Sequence, residues 1–195
     1  MHGLINRAVQ CFVRDTYGQD RWLGVTRDSG LEFTEFEAML HYDDALTELV
    51  IQAIAKTIGV PRSTVLEDIG TYLVTHPNVE ALRRLLRFSG VNFLEFLHSI
   101  DDLPERARLA VEDLELPAFD LFEHGNNEFS LHCAHPHVGF GYVMLGILRT
   151  MADDYGALVL LKYEFDEKST EIIHIKVIDA AFSEGRRFEL GGRPG

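Results

Sequence analysis

The chain is poor in cysteine, with only Cys11 and Cys133 among 195 residues. Two thiols cannot build a disulfide scaffold, and their scarcity predicts reduced cysteines in a cytoplasmic protein. It is also short of positive charge: 18 Lys and Arg face 31 Asp and Glu, for a net charge of −13. Phosphate backbones and anionic lipid surfaces are held by concentrated basic surface, so neither nucleic acid nor membrane is an expected partner. No run approaches the roughly 18 apolar residues of a membrane-spanning helix. Met1-His2-Gly3-Leu4-Ile5-Asn6-Arg7 has neither the apolar core nor the cleavage site of a signal peptide.

Catalytic signatures are missing too. There is no P-loop, nucleophile elbow or Gly-x-Gly-x-x-Gly. The carboxylate pairs Asp101-Asp102 and Asp153-Asp154 are adjacent residues, which point apart on a helix and read as solvated helix ends or caps. Arg83, Arg84 and Arg87 read as a solvated face or a docking surface for an acidic partner. No nucleophile, base and orienting group can be assembled, so the chain is not read as an enzyme.

What remains is a normal globular composition, 46% hydrophobic, enough for one domain of two lobes. The first half has helical periodicity. Leu4, Ile5, Ala8, Val9, Phe12 and Val13 form one stripe over residues 4–16, which Tyr17-Gly18 ends. Short helices are predicted around 21–26 and 79–88. Longer ones run over 45–58, closed by Gly59, and from Pro61 to Val74. A further helix over about 90–103 should stop at Pro104, because proline removes a backbone donor. The second half alternates. Strands are predicted over 118–123 and 128–133 with a Gly125-Asn126-Asn127 turn, then a helix over 140–153. Strands over 157–165 and 171–177 follow, and the tail at 191–195 is read as loose. The expected fold is α+β, with a helical lobe at about 1–104 and an antiparallel four-stranded ββαββ lobe at about 115–185.

This order carries a family resemblance. Met1-His2-Gly3-Leu4-Ile5-Asn6 with Tyr17-Gly18, Tyr42-Asp43-Asp44 through Gly59-Val60-Pro61, and Leu66-Glu67-Asp68-Ile69-Gly70-Thr71-Tyr72-Leu73 resemble the opening and middle helices of H-NOX domains, the haem-based nitric oxide and oxygen sensors. Asn92 through Asp101 is similar to the helix that carries the haem ligand in that family. The resemblance covers about residues 1–180. It implies haem b between the lobes, with a histidine on the iron and a Tyr-x-Ser-x-Arg triplet on the propionates. It also implies a diatomic gas as the signal and a nucleotide cyclase or histidine kinase as the partner. These 195 residues hold no output domain, so action through a separate partner is expected.

The resemblance departs from the family at the chemistry. Without a gap, the ligand position falls on Asp101, a carboxylate, with His98 about one helical turn away as the candidate iron ligand. The triplet falls on Cys133, His135 and His137, where two imidazoles would replace a hydroxyl and a forked guanidinium. Val143 occupies the distal position, so no tyrosine hydroxyl would favour oxygen over nitric oxide or carbon monoxide. A porphyrin cavity is expected to be lined by Ile5, Val9, Leu97, Val143 and Ile147, with Pro117 at the start of the sheet lobe.

Two other readings of the same residues stay open. Cys133, His135 and His137 lie at strand spacing, about 6.5–7 Å apart, and with His124 they could bind zinc. Cys133 could also be a redox-sensitive thiol. A haem-free interaction module, binding another hydrophobic ligand or only a partner protein, would fill the cavity with its own side chains, whereas a sensor would keep it open.

Overall fold

The computed structural model describes residues 1–87, 90–134, 139–166 and 170–185. Among the described residues, seven α-helices and a 3-10 turn at Pro77–Val79 precede a ββαββ unit. The α-helices are α1 (Gly3–Tyr17), α2 (Gln19–Asp28), α3 (Asp44–Ile58), α4 (Arg62–Thr75), α5 (Glu80–Arg87), α6 (Phe93–His98) and α7 (Leu103–Ala110). The strands are β1 (Ala118–Gly125), β2 (Glu128–Ala134), β3 (Leu158–Phe165) and β4 (Glu171–Asp179), with α8 (Phe140–Tyr155) between β2 and β3.

Local chemistry sets these boundaries. His2 caps α1 by accepting the Leu4 N–H on Nδ1 at 3.1 Å. The Asp43 carboxylate accepts the Ala45 N–H at the start of α3, and Gly59, at φ 81°, ends that helix in the left-handed conformation. Asn92 caps α6, and Glu95 reaches back to the Val91 N–H and the Asn92 amide.

One predicted helix is in fact two. Residues 90–103 do not form one helix: α6 ends at His98, and Pro104 sits in the first turn of α7. First-turn N–H groups have no partner within the helix, so proline opens a helix there at no cost in hydrogen bonds. Part of the connection between the last two strands, residues 167–169, and the whole tail at 191–195 lie outside the described residues.

The sheet has the order β1-β2-β4-β3, antiparallel throughout. Asn126 and Asn127 both have positive φ, 53° and 60°, as a two-residue hairpin turn requires. Phe129, Leu131 and Cys133 of β2 point inward, while Ser130 and His132 share the opposite face with Phe122, His124 and His174. The inner face packs on α8 and on Phe93, Phe96 and Leu97 of α6. A second core, built on Phe12, Trp22, Phe36, Ile54, Val65 and Tyr72, fills the helical lobe.

Helix α8 joins the lobes, packing along α4 on one side and against β3 and β4 on the other. Two glycines permit the α4–α8 contact. A Cβ on Gly70 would lie 2.0 Å from the Val143 carbonyl oxygen, and one on Gly146 would lie 2.1 Å from that of Glu67.

The arginines of α5 are not a solvated face. Arg83 Nε donates at 2.7 Å to Asp154, which is 1% exposed, and the Arg87 guanidinium lies 3.9 Å from the centre of the Tyr155 ring. Asp154 is correspondingly no solvated helix end, because the C-terminus of α8 docks against α5.

Candidate functional site

The two lobes enclose a cavity of about 1000 Å³, at the upper limit of typical small-molecule sites, roughly 300–1,000 Å³. Helix α1 contributes Leu4, Ile5, Ala8 and Val9 to its wall, and α4 contributes Leu66, Ile69 and Leu73. Helix α8 adds Phe140, Val143, Met144 and Ile147. The far wall is α7 with the segment after it: Leu103, Ala107, Val111, Leu114 and Pro117.

Charge is confined to one rim. Asp44 and Glu48, one turn apart on α3, line the cavity with Arg62 and the Met1 amino group. Each cation has a carboxylate. The Met1 amine donates to Asp44, and Arg62 holds Glu48 through Nε at 2.9 Å and Nη2 at 2.8 Å. Burial opposes the charge on Glu48, but hydrogen bonds from Arg62 and Gln52 outweigh it and hold the carboxyl below its usual range. The pair is therefore complete at neutral pH and is lost only as pH falls through that lowered value.

The expected site residues separate into two groups. Ile5, Val9, Pro117, Val143 and Ile147 line the cavity. Leu97 does not: it is fully buried in the sheet-lobe core. His98 is also absent from the wall. Its ring meets Phe129 edge-on, its Nε2 lies 3.9 Å from Glu123, and its side chain is 54% exposed. Asp101 is exposed and accepts the Leu121 N–H at 2.9 Å, which ties the α6–α7 corner to β1. Burial, only partly offset by that N–H, raises its carboxyl above the ordinary value. The shared cause is the break at Ser99–Asp102. Helix α7, not α6, faces the cavity, and it presents Leu103 and Ala107.

Cys133 is 1% exposed on the inner face of β2, opposite Phe119. Burial, with the nearby Glu171 carboxylate, pushes its thiol up to about 12. A protonated, enclosed thiol is a poor metal ligand and a poor redox nucleophile. His124 donates to or accepts from Ser130 Oγ on the outer face, so the sheet separates these two zinc candidates. His135 and His137 lie outside the described residues. In the folded protein at pH 8, Cys133 is expected to resist a thiol reagent and to react fully once guanidinium unfolds the chain. Rapid labelling of Cys133 without unfolding, read by mass spectrometry, would contradict its placement.

One trio among the described residues could offer three atoms to a metal: His2, His41 and Asp113. Its tautomer argues otherwise. His2 Nδ1 accepts the Leu4 N–H, which leaves the ring proton on Nε2, and that N–H faces Asp113 Oδ1 at 3.2 Å. A nitrogen that donates has no lone pair for a metal. The trio instead ties the α7–β1 segment, which forms the far wall, to the start of α1. Sequence reasoning missed His2, Glu48, Arg62 and Asp113, since their partners lie 111 and 14 residues away. The stripe of α7 and the segment after it was readable at Leu103, Ala107, Val111 and Leu114, had Pro104 been taken as a helix start.

The described part of this wall offers no histidine to ligate a haem iron. Iron in b-type sites is held by His, Cys, Met or Tyr. Among the described lining residues there is no His, Cys or Tyr, and the sulfur atoms are those of Met1 and Met144. The two rim cations are already matched by carboxylates, so paired propionates would have to displace Asp44 and Glu48.

A helical lobe and an antiparallel sheet lobe sharing one largely apolar cavity define a two-lobed ligand-cavity fold. The chain belongs to the haem-NO-binding family, whose model matches residues 2–162. It is similar to soluble guanylate cyclase gcy-31 of Caenorhabditis elegans, 25% identical over 79% of this chain and 22% of that protein. It is also similar to soluble guanylate cyclase 89Da of Drosophila melanogaster, 21% identical over 87% of this chain and 25% of that protein. The chain thus spans about a quarter of the length of these curated relatives. The fold matches the H-NOX protein of S. oneidensis with TM-score 0.76 at 16% identity, covering 92% of this chain and all of that one. It matches that of K. algicida with TM-score 0.77 at 18% identity, covering 97% of this chain and 100% of that one. The α+β architecture read from the sequence is the observed one. Among the described residues no helix is long and apolar enough to cross a membrane.

Proposed function

We propose that the chain is the sensory domain of a nitric-oxide-signalling protein that controls a guanylate cyclase output, and that the usual histidine ligation of haem has been lost from it. The cyclase relatives favour that output over a histidine kinase, whether the cyclase is a separate partner or joined to this domain. One observation carries the altered chemistry: the described cavity wall has no imidazole, phenol or thiol. The open cavity favours a ligand-responsive domain over a pure docking module, which would have filled that space with its own side chains.

The test is an absorption spectrum of the protein produced with excess haem precursor, before and after nitric oxide. The expected result is folded protein without a stoichiometric Soret band. A stoichiometric band that shifts with nitric oxide would overturn the reading. His98→Ala would then show whether that residue holds the iron after all, and a His135→Ala/His137→Ala variant would test the imidazoles outside the described residues.

A further inference from the structure

Resting on the haem-free reading, we infer that the cavity binds a neutral, largely hydrocarbon molecule bearing a single hydroxyl, of the long-chain-alcohol or sterol kind. Three observations define that class. First, the inner wall is largely hydrocarbon: Ile5 of α1, Leu66 and Ile69 of α4, Ala107 of α7, and Val143 and Ile147 of α8 are examples. At about 1000 Å³ it can enclose a ligand far larger than a gas molecule. Second, the rim is electrically balanced. The Met1 amine is matched by Asp44, and Arg62 by Glu48 in a two-point pair. An anionic head group would have to displace a bound carboxylate and leave it unpaired beside apolar surface, which is unfavourable. A neutral head group displaces neither.

Third, Thr47 is the uncharged polar side chain among the described lining residues. Its hydroxyl donates to Asn6 Oδ1 at 2.8 Å. With that proton donated to Asn6, the Thr47 oxygen remains as an acceptor, which a ligand O–H can meet. A carboxylate has no proton to give and an ester has none, whereas an alcohol does. Hydrocarbon wall, neutral rim and accepting polar point therefore agree on one chemistry.

The experiment is displacement of Nile red from the full chain by hexadecanol or by hexadecanoate, which share a tail and differ in head group. Nile red should occupy one saturable site, and hexadecanol should displace it about tenfold better than hexadecanoate, the size of one charge-assisted interaction. Ile147→Trp should weaken binding by narrowing the cavity. Ala107→Trp does so from the opposite wall, if the first variant fails to fold. Leu160→Asp, at a position 61% exposed on the outer sheet face, should leave binding unchanged. Glu48→Gln releases Arg62 from its carboxylate and should shrink the tenfold preference towards parity. Absence of a saturable site, or equal or better displacement by hexadecanoate with the wild-type protein, would overturn the ligand class and leave the haem-free reading standing. Stoichiometric haemin displacing the dye, with a nitric-oxide-sensitive Soret band, would overturn the reading beneath it.

Discussion

Gly146→Ala is expected to destabilise the protein by about 3 kcal/mol, the upper part of the range for overpacking a core. The cause is a backbone contact. The new methyl would lie 2.1 Å from the Glu67 carbonyl oxygen and 2.9 Å from the Thr71 nitrogen, both in α4. A side chain can rotate away, but a helix backbone cannot without moving the helix. The reciprocal contact at Gly70, against Val143, means that α4 and α8 would have to separate along their shared length. Alanine is the better helix former by about 1 kcal/mol, so the clash must exceed the net loss. For a chain of this size the loss lowers Tm by about 6–12 °C. Gly24→Ala on α2 is the control. No atom lies within 4 Å of its added methyl, so propensity alone acts and stability should rise by up to about 1 kcal/mol. If Gly146→Ala melts with the wild-type protein, the close approach of α4 and α8 is wrong. The same variant should weaken ligand binding, since Val143 and Ile147 of α8 and Leu66 and Ile69 of α4 form facing parts of the cavity wall.

That interface was only half legible in the sequence. Gly70 stood inside a helical pattern as an unexplained glycine, and nothing local linked it to Gly146, 76 positions later. The elements themselves were readable because their signals are short-range. Apolar spacing marked α1 and α3, Gly59 closed α3, and Asn126-Asn127 announced the hairpin. Four strands and a crossover helix followed from alternation and turn residues alone. Pro104 misled because proline marks both the end of one helix and the first turn of the next, and only packing decides between them. With one helix drawn up to it over 90–103, His98 and Asp101 were placed on a helix facing the cavity. The actual corner at 99–102 turns both away from it, leaving α7 on the wall.

The candidate site divides along the same line. Its apolar lining at Ile5, Val9, Val143 and Ile147 repeats at helical spacing and could be read from the chain. Its rim could not. Arg62 meets Glu48 across two helices, and His2 meets Asp113 across most of the domain. Whether a cation is committed to a protein carboxylate or available to a ligand is decided by such long-range pairs, and this decides what the cavity can hold.

Arg83→Ala should cost about 3–5 kcal/mol, the range for breaking a buried ion pair from one side. Asp154 is 1% exposed, and Arg83 Nε reaches it at 2.7 Å from α5. Removing the guanidinium takes a 2.7 Å charge-assisted partner from a carboxylate that has little access to water. Removing the carboxylate is less severe, because the Arg83 side chain is 22% exposed and can turn its charge outward. Asp154→Ala should therefore cost less, about 2–3 kcal/mol. The double variant should fall short of the sum, since the two side chains contact each other and the second substitution removes a partner already lost. Urea unfolding of the wild-type protein and the three variants measures all of these terms. A sum equal to the double variant would mean that the two side chains do not interact. The pair matters for more than stability. It joins the C-terminal end of α8 to α5, whose Leu85 and Leu86 line the cavity, and Arg87 over Tyr155 reinforces the same junction. A ligand that spreads α5 from α8 would strain this ion pair, so Arg83→Ala should weaken the link between an occupied cavity and the sheet lobe. The check is ligand-induced protection of the β2 and β4 amides from hydrogen exchange, expected in the wild-type protein and reduced in the variant.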